Sequence, residues 1–327
     1  MNQVGAVGRH RGVSAGNRRW ISAAAGGTAV VGLIFCASGH ASAQPDEFQF
    51  VIAVLDKLGQ PVADLRRDEV LMSENGIAHE IVKVEAYPVP VRLTLAVDNG
   101  PLSGDALGHY RSGLTGLVKA LPENVEVTLI TTSPQPRMVV RPTIERQRIL
   151  RGINQFAPEL AAPRFTDALV EFSQRLQQEI KETRRLDSLP VLVMVSTTAN
   201  DAVSYEVPEI SRALGFLKSR KAKVYITMMS TGIGAGAAQI NDNRQALIGI
   251  PATELTRGRY EALAASSRLA TLLPEFGRDI AALHRKHANQ LLVTVQRAPE
   301  ITGPLRSPRI EVTRSGLTGQ VSLDGLP

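Results

Sequence analysis

The chain has 327 residues, of which 43% are hydrophobic and 21% are charged. This balance provides apolar material for one sizeable core with a small additional module, and it excludes an intrinsically disordered protein. The single cysteine, Cys36, lies near the N-terminus. If that segment is removed, the mature protein has no cysteine for a disulfide, a zinc site or nucleophilic catalysis.

The N-terminal 43 residues have the organisation of a secretory signal peptide. Four arginines without any acidic residue precede the apolar run from Ile21 to Ser38, and Ala41-Ser42-Ala43 follows as a cleavage site before Gln44. A membrane anchor is the alternative, but glycines interrupt the run and it is shorter than the roughly 20 residues of a spanning helix. We therefore predict that residues 1–43 are a signal peptide.

The predicted signal peptide leaves the export route open and, when removed, changes the net charge of the protein. The pair Arg18-Arg19 leaves both the general secretory route and twin-arginine export open. Removal of four arginines lowers the formal net charge from +6 by four, to +2. Because no basic stripe with interleaved aromatic residues remains, we expect no nucleic-acid partner. The mature protein is expected to be periplasmic or extracellular, with no membrane span.

Both flanks of the mature chain are predicted to be β-structure. Residues 44–88 show strand-like patterns around the dipeptide Asn75-Gly76, which favours a tight hairpin turn. Residues 289–327 return to an alternating pattern in QLLVTV and PRIEVTRSG. Each flank alone is too small to be stable. We therefore expect residues 289–327 to pack with residues 44–88 in one small β module.

Residues 89–288 alternate between apolar strands and amphipathic helices. This pattern predicts a Rossmann-like α/β domain with a mostly parallel sheet and helices on both faces. A short segment, Arg137–Val140, follows its predecessor too closely for a crossover helix and is predicted to be an antiparallel edge strand. The main predicted strands are Arg92–Val97, Val125–Thr131, Pro190–Ser196 and Lys223–Met229.

Several segments together resemble a von Willebrand factor A (vWA) domain, and more closely the secreted bacterial proteins related to it. The resembling segments are VIAVLDKLGQPVADLRRDEVLMSENG, VRLTLAVDNGPLSG, RMVVRPTIERQRILRGI, PVLVMVSTTAND, RGRYEALAASSRLATLLPEFGRDI, NQLLVTV and PRIEVTRSG. The resemblance implies a divalent-cation site above the carboxyl ends of the strands. Such a site takes an Asp-x-Ser-x-Ser turn, a threonine from a second loop and an aspartate from a third.

This chain departs from that ligand pattern. Asp98 matches the first aspartate, but Gly100 and Leu102 occupy the two serine positions. Pro163 stands at the threonine position and Thr197 at the second aspartate position. The hydroxyl or carboxylate residues that lie nearby but out of register are Ser103, Thr166 and Asp201.

With one carboxylate in register, a hard cation gains little from shedding its water. We therefore expect a degenerate adhesion site with no cofactor. Mg²⁺ or another divalent cation at Asp98 is the alternative. Without a cation, Asp98 is expected to cap the first helix or to accept hydrogen bonds from loop amides.

The resemblance implies an exported, non-catalytic protein–protein interaction module with an unidentified protein partner. The alternatives are a structural or scaffolding component of the cell envelope that uses the edges of the β module, and a metal-dependent adhesion domain that uses Asp98. The segment from Thr231 to Thr253 is expected to form a movable rim beside the partner-binding loops. The candidate partner-binding residues are Asp98, Asn99, Leu102, Ser103, Thr166 and Thr197.

No enzyme activity is predicted. The residues Gly232, Gly234 and Ala237 match a dinucleotide-binding pattern, but they follow the fourth main parallel strand and no clear helix begins there. The one G-x-S-x-G sequence, at residues 12–16, lies in the predicted signal peptide, so the mature chain has none. His284 and His287 are interpreted as cations near the C-terminus of the last helix, where they interact favourably with its dipole.

Overall fold

The computed structural model describes residues 47–184, 186–230, 244–301, 305–315 and 317–318. Its larger sheet has six strands in the order β10-β9-β8-β5-β6-β7. Every neighbouring pair is parallel except β6 and β7, which are antiparallel. The strands are β5 (Val91–Val97), β6 (Glu126–Thr131), β7 (Arg137–Thr143), β8 (Leu189–Thr197), β9 (Lys223–Met229) and β10 (Arg259–Leu263).

Helices cover both faces of this sheet, which confirms the predicted fold class. In β5, Leu93 and Leu95 point into one buried core and Ala96 points into the other. The first core includes α1, α2 and α6, and the second includes α3, α4 and α5. The helices are α1 (Leu107–Ala120), α2 (Arg146–Gln155), α3 (Phe165–Thr183), α4 (Val207–Ser219), α5 (Arg244–Thr256) and α6 (Leu269–Ala288).

The prediction of a movable rim from Thr231 to Thr253 is wrong for its C-terminal part. Residues 244–253 belong to α5, which buries Ala252 completely. A Cβ atom at Gly249 would lie 3.1 Å from Ile226 and 3.2 Å from Tyr260, so this helix packs closely on the sheet. Residues 231–243, which include the dinucleotide-like pattern Gly232, Gly234 and Ala237, lie outside the described residues.

The two flanks form one antiparallel sheet, as the sequence predicts. Its strand order is β1-β11-β4-β3-β12, so the C-terminal strand β11 is inserted between two N-terminal strands. Phe50, Met72, Val293 and Ile310 form part of its buried core. The strands are β1 (Glu47–Ile52), β3 (Val70–Glu74), β4 (Ile77–Ala86), β11 (Leu291–Gln296) and β12 (Pro308–Val312), with a separate small pair of β2 (Leu55–Asp56) and β13 (Leu317–Thr318).

An ion-pair cluster attaches the segment after β12 to the rest of this module. Arg314 donates to both carboxylate oxygens of Glu69, at 2.8 and 2.7 Å, and to Asp64 at 2.7 Å. The hydrogen bonds from Arg314 and from the Arg66 amide lower the pKa of Glu69 to about 2. Glu69 is therefore ionised, and paired, over the whole range near neutral pH.

This pKa predicts how acid affects the module. The pKa of Glu69 is lower in the folded than in the unfolded chain, so its stabilising contribution is complete above pH 4.5, the ordinary value, and is lost as the pH falls towards about 2. In urea titrations of the mature protein, Glu69→Gln should therefore lose less stability than the wild type between these two pH values. Equal acid sensitivity of the two proteins would contradict this prediction.

The last helix and the connector between the two sheets are joined by buried polar contacts. The Val91 amide donates to Nδ1 of His284 at 3.2 Å, and the Val89 amide donates to the carbonyl of His287 at 2.9 Å. Burial, together with the charges of Arg146 and Arg285, lowers the pKa of His284. The interpretation of His284 as a helix-end cation is therefore wrong, because it is a buried, neutral hydrogen-bond acceptor.

Candidate functional site

Asp98 directly follows β5 at the carboxyl edge of the large sheet, and both of its carboxylate oxygens accept hydrogen bonds from the chain itself. Oδ1 accepts a hydrogen bond from the Gly100 amide at 2.7 Å. Oδ2 accepts from the Thr197 hydroxyl at 2.5 Å and from the Thr197 amide at 3.1 Å. Of the two predicted non-metal roles, bonding to loop amides is observed, whereas Asp98 makes no helix-capping hydrogen bond.

Asp98 is buried, and no opposing charge lies beside it among the residues that the structure describes. Asp98 is only 1% exposed, and burial raises its pKa although the hydrogen bonds from Thr197 and Gly100 act in the opposite direction. Burial and the negative charge of Asp98 together raise the pKa of Tyr110 well above its usual value. This carboxylate therefore accepts its hydrogen bonds from neutral donors.

Gly100 closes the space in which a metal-ligating serine would stand. A Cβ atom there would lie 3.0 Å from Oδ1 of Asp98, 3.2 Å from the Pro163 ring and 3.2 Å from the Ser133 hydroxyl. Ser103, one residue beyond the second serine position, donates its hydroxyl to the Gly100 carbonyl at 2.7 Å. These contacts hold the turn in a compact form that leaves little room for a ligand side chain at position 100.

The second and third loops are tied together by Asp201. Its carboxylate accepts hydrogen bonds from the amides of Phe165 and Thr166, at 2.7 and 3.1 Å, and from the Thr166 hydroxyl at 2.5 Å. Asp201 thus caps the N-terminus of α3 from a distant loop, a role in which a carboxylate also interacts favourably with the helix dipole. The amides of Phe165 and Thr166 at this helix start are therefore paired within the chain.

Asn99 joins the first loop to two others. Its side-chain oxygen accepts from the Ser133 amide at 3.0 Å, and its side-chain nitrogen donates to the Ala157 carbonyl at 3.0 Å. Its own carbonyl accepts from the Glu159 amide at 2.6 Å. Asn99 therefore fixes the position of the loop at residues 156–164 against the loop that follows β5.

Exposure separates the six candidate partner-binding residues into two groups. Five of them have exposures of 3% or less and act within the loop network. Leu102 alone is exposed, at 48%. The buried five are Asp98, Asn99, Ser103, Thr166 and Thr197.

The sequence reasoning missed a second exposed leucine at this edge. Leu160 is 97% exposed and follows Glu159, whose amide binds Asn99. The signal was present in the apolar composition of APELAAP, residues 157–163. It was not recognised because a loop between helices has no period that assigns a side chain to the surface.

The residues around Asp98 offer few free oxygen ligands to a divalent cation. Of the five positions that supply ligands in the resembling family, only Asp98 has a carboxylate, and its oxygens already bind Gly100 and Thr197. Across the part of the chain that the structure describes, no three His, Cys, Asp or Glu side chains are grouped so that they could hold a metal ion. A hard cation normally takes six or more oxygen ligands.

Solved structures that are similar to this chain include vWA domains. No family model and no curated protein matches the chain. A vWA protein from Catenulispora acidiphila is similar over 84% of this chain and 71% of its own, with 9% identity and a TM-score of 0.44. The fold is similar to that of vWA domains.

Two other similar solved structures are bacterial. The conserved hypothetical protein BatB from Bacteroides thetaiotaomicron covers 58% of this chain and 98% of its own, with 11% identity and a TM-score of 0.43. The vWF domain of the type V pili tip protein Mfa5 from Porphyromonas gingivalis covers 61% and 97%, with 11% identity and a TM-score of 0.40. At this level the similarity concerns the fold and assigns no residue role. Among the described helices, none has the length and apolar character needed to cross a membrane.

Proposed function

We propose that this vWA-like chain is an exported, non-catalytic module that binds a protein partner through the loops at the carboxyl edge of its large sheet, without a bound cation. The observation that carries the proposal is the presence, at the same edge, of an Asp98 whose two carboxylate oxygens are hydrogen-bonded within the chain and of exposed leucines. Export rests on the signal peptide predicted for residues 1–43.

The surface proposed to bind the partner is named here the loop surface, and it consists of Pro101, Leu102, Pro158 and Leu160. All four residues are exposed. The hydrogen bond between the Glu159 amide and the Asn99 carbonyl links the two segments, and Leu160 follows directly after it. Open α/β sheets bind their ligands at the carboxyl ends of the strands.

The chemistry of the loop surface points to an apolar contact. Proline and leucine side chains lose little conformational entropy on binding, and each buried leucine contributes roughly 1.5–3 kcal/mol. The Asp98 network beneath the surface supplies rigidity, because Asp98, Asn99 and Thr166 each hold two separated segments together. A rigid apolar surface of this kind suits a partner that inserts an apolar side chain.

A capture experiment tests this proposal. The mature protein is crosslinked in its native envelope, and captured proteins are compared between wild type, Leu102→Asp and Leu160→Asp. Each substitution places a charge where we expect apolar contact, so partner recovery should fall about tenfold or more, as expected for a loss of 1.4 kcal/mol. The wild-type recovery should be unchanged in EDTA.

The chain offers a matched control. Leu58 is also exposed, at 84%, but lies on a turn of the β module. Leu58→Asp should leave partner recovery unchanged. Loss of recovery in Leu58→Asp alone would favour a scaffold that uses the β module. Loss in EDTA with restoration by Mg²⁺ would instead favour the metal-dependent adhesion domain.

A further inference from the structure

Two neighbouring cavities lie at the opposite edge of the large sheet from the loop surface, beside the amino ends of its strands. The first has a volume of about 510 Å³ and lies between the turn after β2, the start of β10 and the C-terminal half of α6. The second has a volume of about 230 Å³ and lies beside the ends of α4 and α5. Arg257 lines both cavities and is the residue they share, and the two together are called here the joined cavities.

The lining of these cavities is strongly cationic. Asp279 is the only acidic residue among the lining side chains, and it lies 3.9 Å from Arg259, which also pairs with Glu261 and Glu275. The positively charged lining residues of the two cavities are Lys218, Lys221, Lys223, Arg257, Arg259, Arg285 and Lys286.

Three of these cations have no acidic partner. Within the described ranges of the chain, Lys218, Arg257 and Arg285 form no ion pair with any carboxylate. The predicted mature chain has a formal net charge of only +2, so this grouping is not a consequence of a generally basic protein. A cluster of like charges around a concave surface raises the local concentration of anions.

Helix ends do not account for the whole cluster. Lys218 and Arg285 lie in the last turns of α4 and α6, where cations stabilise the helix dipole. Arg257, however, follows the end of α5, has a left-handed φ of 53° and lines both cavities. Lys223 belongs to β9 rather than to a helix. The cations thus come from four different elements and converge on the joined cavities.

We propose that the joined cavities are a binding site for a ligand that carries at least two phosphate groups, one in each cavity, with Arg257 contacting both. A guanidinium group presents a planar fork of N–H donors that matches phosphate oxygens. The ligand is either a soluble oligophosphate or the headgroup of a phospholipid that carries two phosphates, since both present the same phosphate chemistry. This site is independent of the proposed partner surface.

The test uses tripolyphosphate as the soluble probe. The lipid probes are phosphatidylcholine vesicles with and without cardiolipin, whose headgroup carries two phosphates. Calorimetric titration of the mature protein with tripolyphosphate should give saturable binding that weakens with added salt. Arg257→Gln should weaken it about tenfold or more, because it removes charge-assisted hydrogen bonds in both cavities. Binding only to the cardiolipin vesicles, with the same loss in Arg257→Gln, would identify the lipid source.

Arg148→Gln is the matched control, because Arg148 is exposed on α2, which packs beside the other edge of the sheet. It should change the affinity less than about twofold, because a charge far from the cavities acts on the ligand only through electrostatic interactions that salt screens. Arg285→Gln is a second variant in case Arg257→Gln does not fold. The proposal is overturned if neither probe binds, or if Arg148→Gln weakens binding as much as the cavity variants do. A lower thermal midpoint with unchanged affinity would assign the arginines to helix stabilisation alone and would also overturn it.

Discussion

Asp98→Ala is expected to lower the free energy of unfolding by about 2–4 kcal/mol at neutral pH, because it leaves three buried donors without an acceptor. These donors are the Gly100 amide and the amide and hydroxyl of Thr197. The variant no longer buries a carboxylate charge, and this gain offsets part of the loss in the free energy of unfolding. Urea denaturation of the mature protein, followed by circular dichroism, measures the change.

The pH dependence of this effect has a definite sign. Burial raises the pKa of Asp98 above its ordinary value of 3.8. The contribution of such a group is complete below the unfolded pKa and declines as the pH rises through the folded pKa. The difference between wild type and Asp98→Ala should therefore be larger at pH 3.8 than at neutral pH.

Asp98→Asn is the companion variant for this experiment. It keeps an oxygen for the Gly100 amide but turns an N–H group towards the Thr197 amide. Its stability should lie between those of the wild type and Asp98→Ala. If Asp98→Ala unfolded at the same urea concentration as the wild type, the Asp98 network would not be holding the loops. If Mg²⁺ stabilised the wild type but not Asp98→Ala, the carboxylate would be a metal ligand after all.

Glu74→Ala is expected to have the largest effect on stability, a loss of about 3–5 kcal/mol, because it removes a buried carboxylate that accepts hydrogen bonds from Arg297 and from the Arg306 amide. Glu74 is 1% exposed and accepts two hydrogen bonds from Arg297, at 3.1 and 3.0 Å, and one from the Arg306 amide at 2.6 Å. His79 lies 3.4 Å away and accepts a hydrogen bond from the Ala298 amide. The residues that meet here come from β3, β4 and the segment between β11 and β12.

The charge state of Glu74 follows from competing causes. Burial alone would raise its pKa, but the hydrogen bonds from the Arg306 amide and Arg297 outweigh it, and the pKa is lowered. The stabilising contribution is therefore present above the ordinary value of 4.5 and is lost as the pH falls through the folded pKa. The stability deficit of Glu74→Ala should shrink in acid.

Glu80→Ala provides the control, because Glu80 is exposed on β4 of the same sheet. It should change the free energy of unfolding by no more than about 0.5 kcal/mol. Equal losses in Glu80→Ala and Glu74→Ala would mean that the buried cluster is not what joins the two flanks. The β module would then depend on its apolar core alone.

The local patterns of the sequence determined the elements and the fold class. Near-continuous apolar runs such as Val91–Val97 and Leu189–Thr197 indicate strands buried on both faces. Too few residues separate β6 from β7 for a crossover helix, which indicates that β7 is an antiparallel edge strand. The structure shows this pairing. Because neither small β segment is stable without a partner, the sequence predicted one shared module. In the structure, the C-terminal strand β11 lies between N-terminal strands of the same sheet.

The sequence was less informative where pattern and composition were misleading. The Gly-rich stretch before residue 244 suggested a loop as far as Thr253, although residues 244–253 are helical. The strand Arg259–Leu263 was not predicted, because it is short and only one of its residues is fully buried. Elements of this kind are stabilised by neighbours that are remote in sequence, so local periodicity does not reveal them.

At the candidate site, the sequence by itself determined that Gly100, Leu102, Pro163 and Thr197 stand where cation ligands would be expected from the resemblance. Only the tertiary structure decided what replaces the cation: Thr197 donates to Asp98 across 99 positions of the chain, and Asp201 caps a helix that begins 36 positions earlier. Partners in a hydrogen bond are chosen by distance and direction in space. The sequence lists which donors and acceptors are available, but the packing of the loops decides which of them meet.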